Sequence, residues 1–96
     1  MKILAIEKEA DGFDEGKLSG LLKPEAKQVW NLYKNGTVRE IYFTQYDHRA
    51  VLVLECESET AAIEILNTLP LVKEKLIRFQ ILPLQAYDGF ERLFNN

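Results

Sequence analysis

The chain has few of the residues from which covalent and metal sites are built: one cysteine, one histidine and one tryptophan among 96 residues. A single cysteine, Cys56, cannot form an internal disulfide, and this favours the reducing cytoplasm as the compartment. Cys56 and His48 together cannot supply the side chains that a zinc site within one chain requires. We therefore expect no disulfide and no metal.

Clusters of one charge and long apolar runs are also missing. The 12 basic residues, set against 15 acidic ones, leave a net charge of -3, and no basic cluster offers a site for phosphates, which argues against nucleic acid as a partner. No apolar run approaches the roughly 20 residues that a membrane span needs. The charged residues near the N-terminus predict a strand instead of a signal peptide. We expect one globular domain over residues 1–96 and no membrane association.

Turn, cap and periodicity signals divide the chain into six main elements. Pro24 suits the first turn of a helix, Asn35-Gly36 suits a left-handed helix end, and Ser58 suits an N-cap. The order βαββαβ predicts an α+β, ferredoxin-like fold with an antiparallel four-stranded sheet. The predicted elements are a strand over 2–8, a loop over 9–20, a helix from 24 to 35, strands over 38–46 and 49–57, a helix from 58 to 70 and a strand over 76–84.

The third predicted strand is apolar on both faces. Two helices cover only one face of a four-stranded sheet, so the opposite face requires a second cover, and a second copy of the chain would supply it. We therefore expect a homo-oligomer, at least a dimer. In the alternative, a loop and the aromatic tail over 87–94 pack back on the body of a monomer. One face carries Ala50, Leu52, Leu54 and Cys56, and the other carries Val51 and Val53.

The second half of the chain, with part of the helix before it, follows a known pattern. Leu69-Pro70-Leu71 after an amphipathic helix is its most specific element. The chain resembles the muconolactone Δ-isomerase family over about two-thirds of its length. That resemblance implies a dimeric α+β barrel whose enzymes move a proton within a small unsaturated lactone and need no metal or organic cofactor. The other matching positions are Leu22, Glu25, Leu32, Gly36-Thr37, Arg39, Tyr42 and Glu55.

The resemblance implies roles for three residues, and a strand position adds a fourth. Glu25 matches an acidic residue of the first helix and would be the catalytic base; it could instead be a helix-start acid. Tyr42 would donate its hydroxyl as a second catalytic group, or be a strand aromatic. Arg39 would bind a substrate carboxylate, or form a surface ion pair. Glu7 would be a second carboxylate facing the substrate, or an exposed strand residue.

Other conspicuous residues have plainer interpretations. Glu40 stands where family members can carry histidine, which is a departure from the pattern. His48 is predicted to face solvent in a hairpin turn, away from any pocket. Trp30 and Tyr33 are predicted to belong to a core stripe, and Cys56 to be a small buried hydrophobe.

Two functions fit these patterns. In the first, the chain is a muconolactone isomerase-like, cofactor-independent isomerase that acts on a small unsaturated lactone or organic acid. In the second, it is a non-catalytic ligand-binding or assembly module that kept the barrel and lost the chemistry. A cofactor-free monooxygenase of the related barrel families has no positive residue signal. Fold alone does not choose between them.

Overall fold

The computed structural model describes residues 1–95, and its central feature is a four-stranded antiparallel sheet. The strand order is β2-β3-β1-β4, and every neighbouring pair is antiparallel. The ferredoxin-like arrangement predicted from the sequence is therefore confirmed. The elements in chain order are β1 (Lys2–Glu9), α1 (Glu15–Lys34), β2 (Val38–Phe43), β3 (Ala50–Glu55), α2 (Glu59–Leu66), α3 (Pro70–Lys73), β4 (Ile77–Leu84) and a final 3-10 turn (Gly89–Leu93).

Helix α1 begins nine residues before Pro24, so the predicted loop over 9–20 is wrong in its second half. The Asp14 side chain caps the helix by accepting a hydrogen bond from the Gly16 backbone N–H. Pro24 lies inside the helix and lacks the N–H that would bond one turn back. Packing offsets this loss, because Leu18 and Leu21 contact the small cluster formed by α3 and the start of β4.

The end of α1 follows the prediction. Gly36 adopts a φ of 87°, in the left-handed region that glycine enters without a Cβ clash. The Asn35 side chain accepts the Thr37 N–H at 2.9 Å and directs the chain into β2. Pro70 has a different place from the predicted one: α2 already ends at Leu66, and Pro70 occupies the first turn of the short α3.

The helices cover one face of the sheet and enclose the core there. Alternate strand residues point to this face, and the most central are fully buried. They pack against apolar side chains from α1, α2 and the α2–α3 connection, so this face is closed within a single chain. The core consists of Ile3, Ala5, Leu32, Val38, Leu52, Leu54, Ala62, Leu66 and Leu69.

The opposite face of the sheet, here called the open face, is also apolar at its centre. Leu4 lies directly across from Val53 on one side and from Leu82 on the other. Ile6 and Val51 form the next row. All five side chains keep part of their surface exposed, and no helix packs over them within residues 1–95.

The large side chains of the C-terminal tail over 87–94 stay largely exposed, which contradicts the alternative in which the tail packs back on the body of a monomer. Tyr87, Phe90, Leu93 and Phe94 are all largely exposed. Tyr87 and Phe90 contact each other edge to face, with ring centroids 4.9 Å apart. The tail leaves β4 at Leu84, beside the start of β1. It therefore covers neither the open face nor the helices, and its aromatic side chains lack a core to enter.

Candidate functional site

A cavity of about 800 Å³ lies between helix α1 and the sheet. It is at the end of the sheet where β1 finishes, β3 begins and β4 begins. Its walls are mostly aliphatic and aromatic with a few polar groups, the usual character of small-molecule sites. Its lining comprises Glu7, Phe13, Leu18, Leu22, Glu25, Ala26, Val29, Trp30, Tyr33, Arg39, Glu40, Ile41, Tyr42, Phe43, His48, Ala50, Leu52, Leu69, Leu71, Ile77 and Phe79.

Glu25 lies on α1 where that helix faces α3. Its Oε1 accepts the Leu71 backbone N–H at 2.9 Å. Burial raises the pKa of Glu25 above its ordinary value because it disfavours the charged carboxylate; the Leu71 hydrogen bond opposes this change, and the nearby charge of Glu7 adds to it. Glu25 is thus a partly buried carboxyl that holds its proton more tightly than an ordinary glutamate does.

Glu7 brings a second carboxyl to the same cavity. It shares a face of β1 with Ile3 and Ala5, and its Oε1 accepts the Ala50 N–H at 2.9 Å. Each of the two carboxyls is therefore held through one oxygen by a backbone N–H. Two fixed carboxyls in one apolar cavity are an arrangement suited to proton transfer.

Arg39 also lines the cavity, at a bulge in β2 between Val38 and Glu40. Its Nε donates to the Gly36 carbonyl oxygen at 2.5 Å. In residues 1–95 the ion pairs join Met1 to Glu55 and Arg49 to Asp47, and Arg39 takes part in neither. The guanidinium is thus fixed at the cavity edge by a neutral partner.

The Tyr42 hydroxyl is occupied within its own strand. It donates to Glu40 Oε1 at 2.8 Å, and this hydrogen bond, together with the negative charge of Glu40, raises the pKa of Tyr42. Both residues are exposed at the edge of the sheet. Tyr42 lies across from Val51 and Glu40 across from Val53, so both side chains belong to the open face of the edge strand. Glu7 and Glu25 lie on the helix-covered side. The four predicted residues Glu7, Glu25, Arg39 and Tyr42 all border the cavity, and each polar group has a partner within its own chain.

One wall of the cavity mouth is aromatic and comes from α1. The Trp30 and Tyr33 rings stack with centroids 6.0 Å apart. Trp30 is 56% exposed, so its predicted place in the core is wrong. The helical spacing correctly put Val29, Trp30 and Tyr33 on one face, but periodicity does not tell whether that face meets a core or a cavity.

The opposite wall comes from the β2–β3 hairpin. The His48 ring stacks on the Phe43 ring, with centroids 3.9 Å apart and planes 17° from parallel. Both residues line the cavity. The prediction that His48 lies away from any pocket is therefore wrong. Its position next to a turn was foreseen; its contact with Phe43 depends on the fold of the hairpin.

The described part of the chain, residues 1–95, contains no group of three or more metal-ligating side chains placed to hold an ion. In that same part, no helix is both long and apolar enough to cross a membrane.

Comparison with known protein families and with curated proteins finds no match. Among solved structures, the chain is similar to 5-chloro-2-hydroxyhydroquinone dehydrochlorinase (TftG) from Burkholderia phenoliruptrix AC1100, in complex with 2,5-dihydroxybenzoquinone. The TM-score is 0.62 at 16% sequence identity, and the match covers 93% of this chain and 98% of that one. This likeness shows the fold, an α+β arrangement with an antiparallel four-stranded sheet.

Proposed function

We propose that this chain is a cofactor-independent isomerase that moves a proton within a small unsaturated lactone or organic acid. The observation that carries the proposal is the Glu25 carboxyl, partly buried in an aromatic-walled cavity and anchored by one oxygen. A general base works best when its pKa is near the operating pH, and burial shifts the pKa of Glu25 in that direction.

The remaining polar groups have complementary roles in this proposal. Glu25 removes a proton from the carbon next to the lactone carbonyl, and the negative charge moves to the carbonyl oxygen. Arg39 binds a substrate carboxylate by its planar guanidinium. To supply its hydroxyl to the substrate, the Tyr42 side chain leaves Glu40 and turns round the edge strand toward the cavity. Glu7 borders the substrate as the second carboxyl. A hydrogen bond from a donor such as the Tyr42 hydroxyl to the carbonyl oxygen stabilises the developing enolate and so lowers the barrier to proton removal.

The structural likeness supports a small, flat ligand. The similar protein is a dehydrochlorinase that was captured with a planar dihydroxybenzoquinone. In the present chain, the rings of Trp30 and Tyr33 face the mouth from one side and those of Phe43 and His48 from the other. Aromatic walls of this kind stack favourably on an unsaturated ring.

We also propose that the chain is a homodimer joined through the open face of the sheet. The apolar row formed by Val53, Leu4 and Leu82 has no cover within residues 1–95. A domain of this size gains substantially from burying such a surface against a second copy. Light scattering at micromolar concentration tests this proposal; a folded monomer would contradict it.

The experiment on activity is a panel of small unsaturated lactones with and without a carboxylate, followed by ultraviolet absorbance. We expect turnover by the intact chain and a fall of about 10²–10⁴-fold in kcat for Glu25→Gln. Arg39→Lys should raise KM for the carboxylate-bearing members, because the planar fork is lost. Glu64→Gln, at an exposed position of α2 outside the cavity, is the matched control and should keep full activity.

The second candidate function is a ligand-binding module without catalysis. One observation favours it: Glu25 and Arg39 are each bonded to the backbone of their own chain, as structural side chains would be. Trp30 fluorescence and the turnover assay together distinguish the two functions, because the first reports binding and the second reports conversion. In a module, a lactone acid or 2,5-dihydroxybenzoquinone would quench Trp30 fluorescence at saturating concentration, and no member of the panel would be converted.

A further inference from the structure

Several hydrogen bonds within residues 44–49 hold the hairpin that carries His48. Thr44 N donates to the Arg49 carbonyl at 2.8 Å, and Arg49 N donates back to Thr44 Oγ1 at 2.7 Å. Asp47 accepts from the Thr44 hydroxyl through one oxygen and from Arg49 Nε, at 2.7 Å, through the other. These bonds close residues 44–49 into one unit, so the backbone that carries His48 is held in place by the hairpin.

The backbone of His48 is held in an uncommon conformation. Its φ is 51°, in the left-handed region that non-glycine residues adopt uncommonly and that asparagine, aspartate and histidine adopt most often among them. His48 N donates to the Thr44 carbonyl at 3.1 Å, which secures the conformation. Non-glycine residues held in this region are found often at functional sites, where the surrounding structure maintains them.

The ring itself lies over Phe43 at the cavity mouth. Phe43 pairs with Ala50 across the hairpin, and the Ala50 N–H is the group that anchors Glu7. The imidazole is therefore attached, through Phe43 and Ala50, to the same end of the cavity as the Glu7 carboxyl. It is the sole imidazole of the chain, and histidine is the side chain that most often transfers protons in enzyme sites.

We propose that His48 is the second proton-transfer residue of this site: it returns a proton to the substrate at the cavity mouth, while Glu25 removes one inside. This inference rests on the proposed isomerase function. The juxtaposition that carries it is an imidazole stacked on Phe43, carried by a hairpin whose backbone is held in place, lining the same cavity as Glu25.

The step balances without an added reagent. The Glu25 carboxylate takes the proton from the carbon between the carbonyl and the double bond, and that C–H electron pair shifts through the dienolate. The double bond moves into conjugation with the carbonyl as the far carbon takes the proton of the His48 imidazolium. Neutral imidazole and protonated Glu25 remain, and proton exchange through water restores both. No net oxidation or reduction occurs.

His48→Asn is the informative variant, because asparagine tolerates the left-handed backbone and removes the imidazole. We expect kcat to fall by about 10²-fold, with KM changed little, on the lactones that the intact chain converts. Turnover in D2O by the intact chain should place deuterium at the newly protonated carbon, because His48 is exposed and exchanges with solvent. Tyr46→Phe, 94% exposed in the same hairpin, is the control and should keep full activity.

A readout independent of turnover uses the lone imidazole. Its Cε1–H gives one proton resonance, which the His48→Asn spectrum identifies. A lactone acid or 2,5-dihydroxybenzoquinone that quenches Trp30 fluorescence should also shift this resonance. The measurement is made at constant pH on the unmodified chain, so that the charged side chains of Glu7, Glu25, Asp47 and Arg49 are unchanged. A probe that binds without moving the resonance, or no response from either reporter, overturns the inference.

The two proposals fail differently. Retained activity in Glu25→Gln contradicts the isomerase function as proposed. Loss of activity in Glu25→Gln but full kcat in His48→Asn, with the substrate's own hydrogen retained in D2O, contradicts the role of His48 alone, since it indicates that a single base moves the proton.

Discussion

The two faces of the sheet are built from similar aliphatic residues and meet different surroundings. On the helix-covered face, here called the closed face, the helices of the same chain bury Ile3, Leu52 and Leu54 fully. On the open face, Leu4, Val51 and Val53 remain partly exposed in that chain. Adjacent residues of one strand, such as Val53 and Leu54, therefore serve different interfaces.

The comparison shows that one face of the sheet holds the core and the cavity, and that the other is available for association. The closed face packs tightly at one end, around Ile3 and Leu54, and opens at the other into the cavity that holds Glu7 and Glu25. On the open face, the apolar rows continue at the sheet edge into Glu40, across from Val53, and Tyr42, across from Val51. Substitutions on the closed face should affect the folding of each chain or its site, and substitutions on the open face should affect association.

The largest effect is expected on the closed face. Leu54→Ala removes a side chain with no exposed surface and should cost about 2–5 kcal/mol of unfolding free energy, from lost burial and the cavity left behind. Urea denaturation measures this. A loss as small as that of an exposed position would mean that the core around Leu54 is loosely packed.

The next effect should appear on the open face. Val53→Asp places a charge in the row with Leu4 and Leu82 and should weaken dimerisation at least tenfold, about 1.4 kcal/mol. Light scattering over a concentration series gives the dissociation constant. Tyr46→Asp adds the same charge in the hairpin, away from the open face, and should leave association unchanged. Equal behaviour of the two variants would argue against a sheet-to-sheet dimer.

A smaller change in stability is expected at the cavity mouth. Trp30→Ala should lower the free energy of unfolding by about 1 kcal/mol, because a half-buried side chain contributes less burial free energy than a fully buried one. Ligand affinity should fall at least tenfold, since the stacked Trp30–Tyr33 wall is lost. Calorimetric titration with the lactone acid measures affinity. A loss of stability near that of Leu54→Ala, with unchanged affinity, would indicate that Trp30 is a core residue and does not contact the ligand.

The smallest effect concerns the pH dependence of stability. The folded-state pKa of Glu25 is raised above its ordinary value of 4.5, so the folded state holds this proton more tightly than the unfolded chain does. The resulting stabilisation is fully present below about that value and is lost as pH rises through the folded-state pKa. Glu25→Gln does not titrate.

Urea denaturation of both proteins between pH 4 and pH 8 should therefore show the wild type losing stability relative to Glu25→Gln as pH rises. Parallel curves would indicate that the Leu71 hydrogen bond cancels the effect of burial.

Several elements were predictable because their signals are local. The left-handed Gly36, the Ser58 cap and the alternation in β3 each act within a few residues. The start of α1 was missed for the opposite reason: Leu18 and Leu21 make the first turns favourable only by packing against the distant cluster of α3 and β4. The predicted loop over 9–20 and the placing of Pro24 in a first helical turn relied on local signals too, and tertiary packing outweighed them.

The candidate site was partly foreseen. Glu7, Glu25, Arg39 and Tyr42 were selected from the sequence and all line one cavity, while their roles remain proposals. Trp30 and His48 were assigned to the wrong surroundings, since a stripe or a turn specifies direction along an element and not what lies opposite. The tail over 87–94 likewise has the apolar composition of a packing segment, but its large side chains remain mostly exposed.

The sequence by itself determined the order of strands and helices, and with it the antiparallel ferredoxin-like sheet, because caps, turns and two-residue alternation are short-range properties. Only the tertiary structure decided that Glu7 and Glu25 share a cavity and that His48 stacks on Phe43 at its mouth. These meetings depend on how α1 crosses the sheet and how the hairpin closes. Such long-range packing brings together residues that are distant in sequence, and local sequence patterns do not indicate these contacts.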